Sequence, residues 1–151
     1  MQVSAKSDYA VRAATVLAAN VGAPMKGERI ATSQGIPLKF LENILIELRH
    51  AGLVNSQRGA EGGYWLARDP AEIHLADVIR AVDGPLAYVR GLRPESLVYQ
   101  GSAEHLAEVW VAVRASLRSV LETVTLADLV AGNLPAAVNA LARDPDAWIP
   151  R

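Results

Sequence analysis

Lys39, Glu42 and Asn43 fall on the polar side of one amphipathic segment, and Arg58 follows downstream among Gly59, Gly62 and Gly63. These residue types can address base edges: lysine donates to guanine O6 or N7, a carboxylate accepts from cytosine N4, and an asparagine amide pairs with adenine. An arginine with little side-chain bulk around it can enter a minor groove. The chemistry is that of reading duplex DNA. Read as a nucleotide-phosphate loop, the glycine-rich stretch lacks Gly-Lys-Ser/Thr, and Glu61 within it would repel phosphate. A plain hairpin tip that needs positive φ is the other reading of those glycines.

The surrounding pattern supplies elements to hold these groups. From Pro37 onward Leu41, Ile44, Leu45 and Leu48 recur at helical spacing, while Lys39, Glu42, Asn43 and His50 lie away from that face. This helix packs on one side and reads on the other. Gly35 before it can take the positive φ of a tight corner, and Pro37 suits a helix's first turn. Gly52 ends it; Leu53-Val54 and Tyr64-Trp65-Leu66 then read as short strands joined by the glycine-rich tip. Corner, helix and hairpin in that order predict a winged helix-turn-helix. Upstream, Ser7 is expected to cap a first helix running to about Asn20, and Arg29, Ile30, Ala31 and Gln34 predict a short second one. Downstream, Ile73, Leu75, Val78, Ile79 and Val82 mark a helix closed by Asp83-Gly84-Pro85.

The expected fold class is mainly α with a small β-hairpin wing, and the chain divides into four parts. Residues 1–85 form the winged DNA-binding domain, and residues 86–101, without a clean period, a linker and possible sensor segment. Ser102 is then expected to cap a long helix with Leu106, Trp110, Val113, Leu117, Val120 and Val124 at alternating steps of four and three, a heptad seam. Roughly 22 residues at ~1.5 Å each span ~33 Å, more than so small a domain can cover. Residues 102–132 are therefore assigned to dimerisation, with folding back onto the first helix as the alternative. Residues 133–151 form a tail.

Composition bounds the function. The 151 residues contain no cysteine, which excludes disulfides, thiolate catalysis and cysteine-held iron–sulfur or zinc centres. No apolar stretch reaches the ~18 to 20 residues of a membrane helix, and the N-terminus lacks a signal-peptide core, so a cytoplasmic protein without membrane contact is expected. The net charge of −1 divides into +2 over residues 1–70 and −3 over the remainder. So weak a field leaves DNA affinity to a few placed contacts, doubled in a dimer. No enzyme signature is present: there is no thiol, no His-Glu-x-x-His and no Gly-x-Ser-x-Gly. A winged scaffold that binds protein rather than DNA is the alternative function.

Several segments resemble the Rrf-type bacterial transcription regulators, which include the iron–sulfur cluster regulator and the nitric-oxide-sensing repressor. They are Ser4-Ala5-Lys6-Ser7-Asp8-Tyr9-Ala10, Ile30-Ala31, Gly35-Ile36-Pro37, Phe40-Leu41-Glu42, Leu48 to Val54, Arg58-Gly59, Gly62-Gly63-Tyr64 and Ile79 to Pro85. The resemblance implies a dimeric regulator, a repressor by expectation, on an inverted-repeat operator. Base-facing roles then fall to Lys39, Glu42 and Asn43, the wing role to Arg58 with Gly59, and phosphate contacts to Lys6, Gln34 and Arg49. For Glu42 a surface salt bridge to Lys39 or Arg49 is the competing role.

Sensor members of that family carry three cysteines before the long helix, and residues 86–101 here contain none. His50, His74 and His105 are too scattered to replace them, so no metal or other cofactor is expected. Tyr88, Arg90, Arg93, Tyr99 and Trp110 could instead cradle a small anionic or aromatic effector. The competing reading is that this segment only packs the long helix, with Arg90 and Arg93 paired to Glu95 or Glu104.

Overall fold

The computed structural model describes all residues from Met1 to Arg151. Helix α1 (Ala5–Ala18) is the central post, because Ala10, Ala13, Ala14, Leu17 and Ala18 make its buried face so slim that other helices approach closely. Its cap is Ser4, whose hydroxyl accepts from the Ser7 N–H at 2.9 Å. Ser7, expected as the cap, is instead buried one turn inside, and its hydroxyl donates to Asp83 at 2.6 Å. Ser4 donates to the same carboxylate. Burial opposes the Asp83 charge, but these two hydroxyls and the nearby Lys6 outweigh it and hold the carboxyl below its usual range. The start of α1 is thereby tied to the end of α4 (Leu75–Asp83).

Helix α2 (Gly27–Gln34) ends at Gly35, which takes φ +62°, and α3 (Leu38–His50) follows with Pro37 at its N-cap, one position before the expected first turn. Leu41, Ile44, Leu45 and Leu48 of α3 are buried against α1, α2 and α4. Gly52 at φ +74° releases the chain into strand β1 (Val54–Gln57), paired antiparallel with β2 (Gly63–Leu66) from Val54 opposite Leu66 to Gln57 opposite Gly63. The hairpin is thus shifted beyond Leu53, which belongs to the core.

A third rung pins this hairpin to the domain. Met25, in the loop before α2, exchanges both backbone hydrogen bonds with Tyr64, at 2.9 and 2.8 Å. Gly63 lies so close to this rung that a Cβ there would sit 2.7 Å from the Met25 carbonyl oxygen, at a backbone φ of +152°. Both the contact and the φ demand glycine. We expect Gly63→Ala to lower the unfolding free energy by about 2–3 kcal/mol in urea titrations. A loss below about 0.5 kcal/mol, the ordinary surface level, would show that the rung can part without consequence.

The expected 22-residue helix is shorter and starts later. Ser102 lies in a 3-10 turn, Gly101–Ala103, and helix α5 runs from Leu106 to Leu121 without a side-chain cap. It stops because the chain is recaptured by the core. Val124 is buried, its carbonyl accepts from the Leu75 N–H at 3.0 Å, and the Leu126 N–H donates to Ile73 at 2.9 Å. A reciprocal Thr125–Asp128 capping box then starts α6 (Leu126–Ala131), which packs on α1 with Leu126 fully buried. Val124 therefore leaves the seam for the core, and residues 126–131 complete the winged half rather than extend α5.

None of the residues of α5 is buried, and none joins the main hydrophobic core. It rests on the segment 86–101, which is ordered by burying Leu86, Pro94 and Leu97. The tail forms α7 (Ala136–Arg143) and a 3-10 turn through Trp148, whose indole donates to the Ala142 carbonyl at 2.6 Å.

Candidate nucleic-acid interface

Burial of four aliphatic side chains fixes which face α3 turns outward. Lys39, Asn43, Ile46 and His50 are exposed and recur at steps of four, three and four, which aligns them in one stripe. Glu42, beside that stripe, is half-buried and pairs with neither Lys39 nor Arg49. The stripe's apolar member, Ile46, is 42% exposed and was missed by reading polar groups alone. A branched aliphatic chain there can meet a thymine methyl.

The wing tip spans 58–62, and Arg58, Gly59, Ala60 and Glu61 are exposed. Gly59 takes φ +103°, and its carbonyl accepts from the Lys26 ammonium. Lys26 stands at the N-cap of α2, where it makes no side-chain cap; it reaches across to steady the tip instead. Only an exposed lysine in a helix-cap position hinted at this in the sequence. Arg49 donates to the Ser56 hydroxyl at 3.1 Å and so fastens α3 to β1. Lys6 is paired with Glu47 at 2.8 Å, so a phosphate would have to share or displace that partner. Gln34 is half-buried, and its backbone carbonyl accepts from Arg12 at 2.6 Å. Arg12 lies over the Tyr9 ring at 5.0 Å, and Tyr9 meets Phe40 edge-on at 5.6 Å, so one aromatic–cation stack sets the spacing of α1, α2 and α3.

The five residues proposed to cradle an effector divide into two groups. Tyr88, Arg90 and Trp110 line one cavity of about 380 Å³ together with Met1 and Val113. Behind it the Trp110 indole donates to the Tyr99 hydroxyl at 3.2 Å, and Arg90 lies over the Tyr99 ring at 5.9 Å. Arg93 turns to a second cavity, which Tyr88 shares. The expected pairing of Arg90 and Arg93 with Glu95 or Glu104 is absent: Glu95 binds Arg114, and Glu104 meets His105 at 3.4 Å.

Residues 3–132 match the Rrf2 family, described as iron-dependent transcriptional regulators. The chain belongs to that family. This Rrf2 member is 52% identical over 145 residues to an HTH-type transcriptional regulator of Mycobacterium tuberculosis, covering 95% of this chain and 90% of the relative. Its fold is similar to that of CymR, the global cysteine regulator of Bacillus subtilis, with a TM-score of 0.74 and 33% identity over 87% of this chain and 98% of that one. It is also similar to T. potens IscR, with a TM-score of 0.69 and 35% identity over 100% and 93% of the two chains.

The Rrf2 protein is accordingly a DNA-binding transcriptional regulator, not an enzyme, and the reading as a protein-binding scaffold gives way to that. The family description implies iron, and the donor set does not fit it. There is no cysteine to supply a thiolate, and no three His, Asp or Glu side chains converge at a spacing able to hold an ion. No helix is long and apolar enough to cross a membrane.

Proposed function

We propose that two copies of this chain, joined through α5, bind an inverted-repeat operator in the cytoplasm as a repressor, each presenting α3 to a major groove and Arg58 to the flanking minor groove. The observation that carries this reading is the exposed Lys39–Asn43–Ile46–His50 stripe with a wing tip braced beside it by Lys26. Lys39, Glu42 and Asn43 supply base contacts of three different polarities. Arg49, Gln34 and, after exchange from Glu47, Lys6 supply phosphate contacts. The linker region serves as the place where a small effector acts.

Selection of bound fragments from genomic DNA tests the proposal. The expected site is an inverted repeat with half-sites about one helical turn, or a multiple of it, apart. Affinity for it should fall as salt rises, with a log–log slope of about −0.9 per phosphate neutralised. Recovery of no enriched sequence, or of a lone unrepeated half-site, contradicts the two-fold arrangement.

A further inference from the structure

The second cavity beside Tyr88 is walled mainly by guanidinium groups. About 330 Å³ in volume, it is lined by Arg80 from α4, Arg93 from the linker and Arg114 and Arg118 from α5, with Leu86 and Tyr88 as its apolar side. Two carboxylates meet these four guanidiniums. Glu122 pairs with Arg80 and, at 3.6 Å, with Arg118, while Glu95 pairs with Arg114. Arg93 belongs to no ion pair, and two positive charges remain in excess. Guanidinium cannot relieve such crowding by giving up a proton.

The groups are also held in place. The Arg114 side chain is only 14% exposed and is held by its pairing with Glu95. Glu95 keeps its carboxyl below the usual range, first through its own backbone N–H and then through Arg114, and remains an ionised anchor. Tyr88 follows Ala87, whose φ of +58° is a left-handed conformation that non-glycine residues rarely adopt, while Arg90 at φ +52° and Gly91 at φ +74° form the tip of a tight turn closed by the Val89–Leu92 backbone pair. The Tyr88 ring forms part of the wall of the cationic cavity.

We propose that this cavity binds a small organic phosphate. A phosphate monoester carries close to two negative charges at neutral pH, which matches the excess, and its oxygens accept from guanidinium forks in paired fashion. Leu86, Pro85 and the Tyr88 ring receive the organic part. The inference deepens the effector reading above, and it moves the site away from Arg90, Tyr99 and Trp110. Because the four arginines come from α4, the linker and α5, an anion among them fastens the dimer-forming helix to the winged half. A ligand held more tightly in one arrangement of those two parts than in another shifts operator affinity.

Calorimetric titration of the full chain with phenyl phosphate, in a phosphate-free buffer and without DNA, tests the site. Saturable binding of one ligand per chain is expected, with inorganic phosphate competing more weakly. Arg93→Ala should weaken binding about tenfold or more, Arg93→Lys should recover part of it, and Arg143→Ala on the distant tail should bind as the parent does. Arg93 is exposed and unpaired, so its replacement leaves the fold intact. Absence of saturable heat at millimolar phenyl phosphate, or equal affinity in parent and Arg93→Ala, overturns the proposal. So does preference for inorganic phosphate over the ester. Loss of the DNA-binding reading would leave these titrations untouched, since no step in them depends on an operator.

Discussion

Arg58→Ala should weaken operator binding by about tenfold to a hundredfold while leaving the unfolding transition unchanged. The side chain is exposed at the wing tip, outside the hydrophobic core, so truncation removes nothing the fold uses. Its effect on DNA is large for two reasons. The Lys26 contact at the Gly59 carbonyl braces the tip, which lowers the entropy lost when the guanidinium enters a groove. In the proposed two-fold complex the contact is also lost twice. Fluorescence anisotropy on the selected operator at fixed salt, with Arg68→Ala as a charge-matched control, reads the difference. Equal losses in the two variants would reduce Arg58 to general electrostatics, and no loss in either would remove the wing from the interface.

Lys26→Met should also bind less well in the same assay, since it releases the wing from its brace even with Arg58 present. That residue also marks where sequence reading stops. Periodicity identified Leu41, Ile44, Leu45 and Leu48, and hence the outward face of α3, because a helix repeats over a few residues and its burial pattern is local. Gly35 and Gly52 were legible for the same reason: a left-handed turn writes itself into one position. What escaped depends on distant partners. Ser4 and Ser7 are both competent caps by type, and the choice follows from Asp83, which binds both hydroxyls from 76 to 79 residues away. Val124 fits the heptad spacing as well as Val120 does, yet its backbone pairs with Leu75 and takes it out of the helix. The four arginines of the second cavity lie on three segments with no shared spacing, so no scan along the chain could group them.

Leu117→Glu should convert the protein from a particle of twice 16.1 kDa to one of that mass, measured by light scattering on a sizing column. Within one chain α5 is poorly covered. Helix α5, at 16 residues about 24 Å long, has no buried residue. Isolated helices near this length are marginal in water, and most helical stability in proteins comes from packing an apolar face. Leu117 and Leu121 border a cavity shared with Ile79 and Leu86, while Trp110 and Val113 border the one beside Tyr88, so the apolar flank of the helix is only half covered by its own chain. In the proposed dimer a second α5, of matching length and character, covers that flank. A carboxylate at position 117 would have to be desolvated in that contact, whereas in a lone chain it can reach water. The winged core, to which α5 contributes nothing, should keep its helical circular dichroism. Operator affinity should then drop by about 10²–10⁴, because the second half-site is no longer tethered to the first. A variant that stays dimeric with full affinity would place the two-fold contact elsewhere, and the unpaired flank of α5 would need another explanation for its retention as a helix.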